Sequence, residues 1–398
     1  MSAVADGSPV EVETLIAGGG VGGLTAALAL ARAGRPVRLL ERALEFTEIG
    51  FGIQLGPNAT RALDGLGVLD ELLPLAVQPR ELLYMDALSG ERITSIDLGD
   101  AFVARYGHPY VVVHRSDLQR KLLGACVREP LVTIETGREL VAFEEDADGV
   151  TVRCADGASY RAQALIAADG LNSRVRGTIA RGEPRAEGFV AYRGTIPIAD
   201  MTPRAEADAM VMWVAPDTHM VQYKVRGGAL YNQVAVFRSR RFDAGDPDWG
   251  SPEELDEHYQ AFCEPVRVAA SQLGRKHRYP MADRDPIATW TTARVALLGD
   301  AAHPMLPVLA QGGCQAIEDG IALPVAFAGA ADVPAALSAY ERRRAPRAGR
   351  VQSSARRFAE VCHIGGVGVE LRNALFGQHD PQDYTVLDWL YDDAEVRA

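Results

Sequence analysis

Three short patches of this 398-residue chain carry residue types whose spacing can do chemistry. Gly18, Gly20 and Gly23 stand at G-x-G-x-x-G spacing, and an acid, Glu41, closes the next apolar run. Asp169–Gly170 lies mid-chain, with Ser173 and Arg176 close behind. Gly299–Asp300 comes late, just ahead of the loop HPMLPVLAQGG, residues 303–313. The first patch reads as a phosphate cradle. Gly18 permits a tight turn with unusual backbone angles. Gly20 lets the backbone approach a pyrophosphate, and Gly23 lets a helix pack closely on a strand. The helix N-terminus offers unpaired N–H groups and partial positive charge. Glu41 is placed to accept hydrogen bonds from a ribose diol. By itself the stretch reads as a dinucleotide site, with a tight turn without ligand as the alternative, and it does not separate FAD from NAD.

A second constellation mixes aromatic and polar groups: Tyr192, Arg193, Trp213, His219, Gln222 and Tyr223. Such mixing suits one face of a pocket for an aromatic ligand, or else the aromatic pairs of a sheet core. Strand alternation puts residues 219, 221 and 223 on one face, so His219 and Tyr223 can share a pocket. Arg115 sits where a guanidinium can reach a phosphate or a flavin edge, or simply form a surface ion pair.

These residues need elements to hold them. Leu15–Ala17 reads as a strand, Leu24–Ala33 as a helix stopped by Gly34, and Val37–Leu40 as a second strand. Gly50, Gly52 and Gly56 make a loop that lies against a flat ligand or merely connects; a helix starts at Pro57. Residues 80–107 alternate as strands, with Asp86 exposed. Tyr110–Val113 is a strand, and Ser116 or Asp117 caps the helix after it. Residues 132–160 read as antiparallel strands and Ala164–Ala168 as a buried one. Residues 186–285 change character to an antiparallel sheet, inserted between parallel-sheet segments, with one helix over 252–275 capped at SPEEL. Val295–Leu298 returns to the first sheet. The last 60 residues read as helical, their arginines forming a solvated or ion-paired face.

The balance of residues narrows the classes. A net charge of −12 argues against a polyanionic nucleic-acid partner. Five cysteines without a C-x-x-C pair suggest thiols in a reducing cytoplasm. No apolar run approaches ~18 residues, so no membrane span is expected. The start shows no secretory pattern, and residues 1–10 look like a frayed tail.

Taken in order, the three patches resemble those of the single-component FAD-dependent aromatic hydroxylases, the para-hydroxybenzoate hydroxylase class. HPYVVVHRSDL, HMVQYKVRGGALYNQVAVF and DWLYDD look more like the 3-hydroxybenzoate 6-hydroxylases and salicylate hydroxylases. The resemblance implies an α/β fold. A Rossmann-like, glutathione-reductase-type FAD domain would span 1–79, 108–185 and 286–398, C-terminal helices included. A substrate domain would take 80–107 and 186–285. It implies FAD as cofactor, NAD(P)H as co-substrate and a small aromatic substrate. It is compatible with a homodimer.

By the same resemblance, Gly18, Gly20, Val21, Gly22 and Gly23 take the FAD pyrophosphate, and Glu41 with Arg42 the adenosine ribose. Arg115 contacts FAD, Asp169–Gly170 serves FAD and NAD(P)H, and Asp300 holds the flavin-side ribose. The stretch from Pro304 through Leu306 and Pro307 to Gly312 and Gly313 lies along the isoalloxazine. The reaction implied is attack of a C4a-hydroperoxyflavin on an activated phenol, which needs a base near the hydroxyl. His219 is the candidate, with Tyr223 orienting; the competing role for His219 is structural. Tyr192, Trp213 and Leu306 are the further substrate-side candidates, and Arg193 or Arg226 the candidates for a substrate carboxylate. Pro307 replaces a glutamine of the 3-hydroxybenzoate 6-hydroxylase pattern, which leaves the position of hydroxylation open. Two rivals are a tailoring monooxygenase of larger polycyclic substrates and a flavoprotein oxidase or reductase without oxygen insertion. A third is a flavin-binding protein without turnover.

Overall fold

The computed structural model describes residues 9–46, 50–180, 182–201 and 208–392. Residues 1–8 of the expected tail lie outside these, as does Asp393 of DWLYDD. The chain is a mixed α/β molecule built on two seven-stranded sheets.

In the first sheet, Val10–Ala17 lies between Val37–Glu41 and Ser159–Ala167, parallel to both. Val295–Leu297 joins the far side of Ser159–Ala167, also parallel. Leu15, Ile16, Leu39, Leu165, Ile166 and Leu297 are wholly buried. Such continuous apolar runs mark a sheet covered on both faces. One cover is the helix Val21–Arg32, in which every residue from Val21 to Ala31 is buried, packed against the helix Gly312–Ala328. Its first turn begins at Val21, three residues earlier than the apolar spacing suggested, because Gly20 serves as its N-cap.

The second sheet runs, in spatial order, Tyr279–Asp283, Arg185–Pro197, Leu230–Arg238, Thr218–Val225, Ala209–Ala215, Glu81–Asp86 and Arg92–Asp97. Its back face carries Tyr192, Trp213, Met220 and Phe237, sealed by Leu255, Tyr259 and Val266 of two short helices.

Several expectations are corrected. Residues 252–275 form two helices, Pro252–Tyr259 and Glu264–Ser271, although Ser251 does cap the first. Val132–Thr136 pairs parallel to Val37–Glu41, because the helix Arg115–Arg128 before it acts as a crossover. Glu81–Asp86 pairs parallel to Ala209–Ala215. Asp86 is buried, accepting N–H bonds from Leu88 and Ser89 at 2.9 and 3.0 Å to close the turn. The helix Arg115–Arg128 has His114 at its N-cap; neither Ser116 nor Asp117 caps it. On the long helix Val333–Cys362, Arg344 and Arg347 are ion-paired, as one of the two readings had it, but buried rather than solvated.

Candidate active site

The carboxyl ends of three adjacent parallel strands form one edge. Val10–Ala17 ends at Gly18, Ser159–Ala167 at Ala168–Gly170, and Val295–Leu297 at Gly299–Asp300. Ligands of open α/β sheets lie at such an edge. Gly18 adopts φ +115°, and a Cβ there would sit 2.2 Å from the Ala168 carbonyl. A Cβ on Gly23 would sit 2.0 Å from the Gly18 carbonyl, and one on Gly22 2.5 Å from Leu298. A Cβ on Gly20 would meet nothing within 4 Å. Gly18, Gly22 and Gly23 are therefore demanded by the protein's own packing, and Gly20 by the space in front of it.

Glu41 ends its strand, where its carboxylate accepts the Gly19 N–H at 2.7 Å and the Ala43 N–H at 2.8 Å. This holds the carboxylate beside the glycine turn. Gln119, which sequence reading missed, donates to the Gly19 carbonyl at 3.0 Å. Arg42 is exposed just past the end of the Val37–Glu41 strand, and Arg115 is exposed as the first residue of its helix, after a strand that pairs with Gly52–Leu55. Asp169 accepts the Arg174 N–H through Oδ2, while its Oδ1 is buried without a partner. Gly170 takes φ +80°. Asp300 is exposed on a short 3-10 turn. Open space before Gly20, an exposed acid at Asp300 and, among the described residues, an unpartnered oxygen on Asp169 fit the pyrophosphate and ribose groups of FAD.

The loop from Pro304 to Gly313 is held from behind. Arg176, buried, donates to the Ala301 and Ala302 carbonyls at 2.9 and 2.6 Å; burial, and then Arg284, push its guanidinium down to about 10. Gln352 donates to the Pro304 carbonyl at 2.8 Å. Asp319 receives the Gly299 N–H, His303 and Arg344 at 2.9, 2.7 and 2.7 Å. Burial pushes its carboxyl up, but His303 and Arg344 outweigh that and hold it near about 2. Glu318 binds Arg344 at 2.7 Å, Arg347 at 2.6 Å and Asn58 at 2.6 Å. This buried polar network was not expected. Its signal was the pair Glu318–Asp319 inside an otherwise apolar helix. Pro307 is exposed on a 3-10 turn, Ala310 takes φ +54°, and the helix from Gly312 has no acid in its first turn. A Cβ on Gly313 would press on Ile53 at 2.7 Å.

Register decides which side chains of the second sheet face this loop. His219 pairs with Val236, Tyr223 with Asn232, and Val234 with Arg193, all on the front face. Tyr192 and Trp213 belong to the back face. Tyr192 donates to the Gly250 carbonyl at 2.7 Å and Trp213 to Gln222 at 2.8 Å, so all three are core groups and leave the list of substrate contacts. Arg226 is a turn residue at φ +54°, ion-paired with Asp117 at 3.4 Å, and leaves the carboxylate candidates.

A cavity of about 300 Å³ is bounded by His219, Leu306, Pro307, Val308, Met281 and His363. Tyr223 does not line it. It lies farther along the strand under Gly52, hydrogen-bonded to Gln54, and burial pushes its phenol up. Asn232 fixes that junction by accepting the Gly52 N–H at 2.8 Å. His219 is buried; burial first, then His363 and Arg193, hold its imidazole well below the usual range. Its Nδ1 lies 2.7 Å from Nε2 of His363, a residue that no sequence signal marked. Arg193 has no hydrogen bond or ion pair among the described residues, its Nε is buried and unpartnered, and burial pushes it down.

The description of an FAD binding domain fits residues 11–355. The chain is 39% identical over 386 residues to a 3-hydroxybenzoate 6-hydroxylase of Polaromonas naphthalenivorans, covering 96% of each. Among solved structures it is similar to Klebsiella pneumoniae HpxO complexed with FAD and uric acid: TM-score 0.83, 27% identity, 96% of both chains covered. A salicylate hydroxylase substrate complex aligns at TM-score 0.79 and 25% identity over 98% of both chains. With the strand-end trough and this full-length likeness, the chain belongs to the FAD-binding family of aromatic hydroxylases, the class A flavoprotein monooxygenases.

Proposed function

We propose that this enzyme hydroxylates a small phenolic acid, of 3-hydroxybenzoate or salicylate type, at the expense of NAD(P)H and O2. The observation that carries the reading is the front face of the second sheet. It carries a neutral imidazole, His219, beside Leu306–Val308 of the loop, and on the same face a partly buried guanidinium, Arg193, without a hydrogen bond or ion pair among the described residues. A partly desolvated cation without an anion is unfavourable, and a benzoate carboxylate would supply a partner. A base on the same sheet face suits removal of a phenolic proton. The cavity of about 300 Å³ suits one ring better than the several rings of a polycyclic substrate.

Bound FAD supplies, once reduced by NAD(P)H, the activation of oxygen. The chain's own groups do the rest. Gly18, Gly20, Val21, Gly22 and Gly23 take the pyrophosphate, aided by the helix they open. Glu41 and Arg42 hold the adenosine ribose, Arg115 contacts the cofactor, Asp169 and Gly170 serve both nucleotides, and Asp300 holds the flavin-side ribose. Pro304, Leu306 and Pro307 shape the wall beside the ring. The N–H groups of Gly312 and Gly313 favour negative charge there. His219 accepts the phenolic proton, and Tyr223 orients the site from farther along the strand. Pro307 offers no side-chain hydrogen bond to the substrate, so the relatives' regiochemistry is an outcome to measure. The two sheets support the division into a cofactor domain of 1–79, 108–185 and 286–398 and a substrate domain of 80–107 and 186–285.

We further place the protein in the cytoplasm, supported by five cysteines that are all free thiols. No helix among the described residues is long and apolar enough to cross a membrane. A homodimer belongs to the same reading, supported by the exposed Val367, Leu371 and Leu375 spaced along one helix; sedimentation decides it.

The test is a panel of phenolic acids and their decarboxylated counterparts, scored for product per NAD(P)H. Arg193→Gln should weaken 3-hydroxybenzoate binding by roughly 10- to 100-fold, the range for a lost charged hydrogen bond, while phenol binding stays the same. Equal losses for both ligands would remove Arg193 from carboxylate recognition. A protein without bound or rebindable FAD would sink the reading as a whole.

A further inference from the structure

We propose that His363 is the relay partner of His219, fixing its base-competent tautomer and carrying the substrate's proton onward to solvent. The inference rests on the hydroxylase reading above. It stands on geometry. His219 Nδ1 and His363 Nε2 are 2.7 Å apart. The two rings are within 17° of coplanar with centroids 5.0 Å apart, so the nitrogens are far closer than the centroids. The rings therefore meet edge to edge, with the N–H···N bond in their common plane. His219 Nε2 has no partner among the described residues, and its ring lines the cavity beside Leu306 and Pro307. The pair is thus a chain of two imidazoles that both border the cavity, with buried His219 at one end. The other end is His363, partly exposed just past the last turn of Val333–Cys362.

Position fixes the second histidine firmly. Phe189 lies parallel to it at 4.8 Å and 24°, and the His363 carbonyl accepts the Asp217 N–H at 3.1 Å. A helix end and a hairpin turn, far apart in sequence, thereby hold one ring against His219.

The chemistry explains why one histidine is insufficient. A phenolic proton comes from a group of pKa about 10. An imidazolium on buried His219 would stand desolvated near Arg193, which is unfavourable. A second imidazole removes that charge. The phenolic O–H proton goes to His219 Nε2, the His219 Nδ1–H proton goes to His363 Nε2, and the His363 Nδ1–H proton goes to water. Three N–H or O–H bonds break and three form, and His219 ends neutral. The groups that set the pH response of the pair are Arg193 two strands away, Asp217 on the turn, and Glu187, Arg238, Arg356 and Glu360 around the cavity. Arg372 on the following helix also acts on His363.

The test uses FAD-loaded protein with 3-hydroxybenzoate. His363→Gln should keep flavin content and substrate affinity within about 3-fold, yet lower hydroxylation on the order of 10²-fold, the scale of a lost acid–base step. Bound substrate should then show less phenolate absorption at a given pH. His363→Ala should lose the same activity and regain most of it with added imidazole, which the cavity admits. Wild-type rates in both variants overturn the proposal. So does a loss in both that imidazole leaves untouched, since that marks a purely structural role. If the yellow wild-type protein hydroxylates no phenolic acid, the functional reading itself falls and takes the relay with it. Normal wild-type turnover with unimpaired His363 variants sinks the relay alone.

Discussion

At residue 20 a methyl group would meet no protein atom within 4 Å, whereas at residues 18 and 23 it would strike a carbonyl oxygen at 2.2 and 2.0 Å. Three glycines of one motif thus answer to different constraints, and substitution should separate them. Gly20→Ala should leave the melting temperature of the cofactor-free protein unchanged and lower FAD affinity on the order of 10-fold. Gly18→Ala and Gly23→Ala should instead fail to fold stably, since each must open a turn or push a helix from its strand. Thermal denaturation of stripped protein, followed by flavin titration, reads both effects; a destabilised Gly20→Ala would count against a glycine kept for the ligand. Asp300→Ala should behave like Gly20→Ala, because the carboxylate is exposed at the strand end and makes no bond within the described residues. These roles were legible in the sequence because turn, helix and acid lie within thirty residues of one another, and local rules govern them. His363 was not legible, since its meaning comes from a partner 144 residues away. Tyr192 and Trp213 misled for a related reason. Alternation shows that two faces exist but not which of them meets the cofactor.

The long helix Val333–Cys362 reads in sequence as a basic surface, yet it carries two kinds of arginine. Arg344 and Arg347 reach Glu318 and Asp319 in the interior, and the acids in turn hold Gly299 and Asn58. Arg357 is exposed and, among the described residues, pairs with Glu360, one helical turn on. A buried ion pair adds little net stability when whole but is expensive to break, because it leaves a desolvated charge behind. Arg344→Met should therefore cost about 3–5 kcal/mol, and Arg357→Met should stay within about 0.5 kcal/mol. Chemical denaturation of both variants checks this. Similar costs would mean that the interior network relaxes with water or a shifted side chain. The strands and helices around this network were readable from apolar period. The network was not, because charge counting along a helix does not reveal which residues face an acidic partner helix.

Acid stability belongs to the whole molecule, because neutral histidines stand on both sides of the second sheet. His258 packs on Phe237 at the back, at 5.0 Å and 25°, and burial followed by Arg240 pushes it down to about 4. His363 stands at the front, pushed down to about 4 by burial and then Arg372. In the unfolded chain both return to about 6.5. Above that pH neither state binds the proton and the fold keeps its full stability. As pH falls from 6.5 toward 4 the unfolded chain binds more protons than the native one, and stability declines by at most about 1.4 kcal/mol per pH unit for each group. The interior carboxylates enter only lower down: Asp319, held at about 2 in the fold, withdraws its stabilisation below about pH 5, where the unfolded carboxyl begins to protonate. Loss between pH 6.5 and about 5 therefore reports the histidines and the sheet between them. Urea midpoints at pH 7, 5.5 and 4.5 should fall steadily for the wild type. They should fall less for His258→Phe, whose ring keeps the contact with Phe237 without the proton site. Parallel slopes for the two proteins would show that His258 is not held neutral by the fold and would move the origin of acid lability to another group.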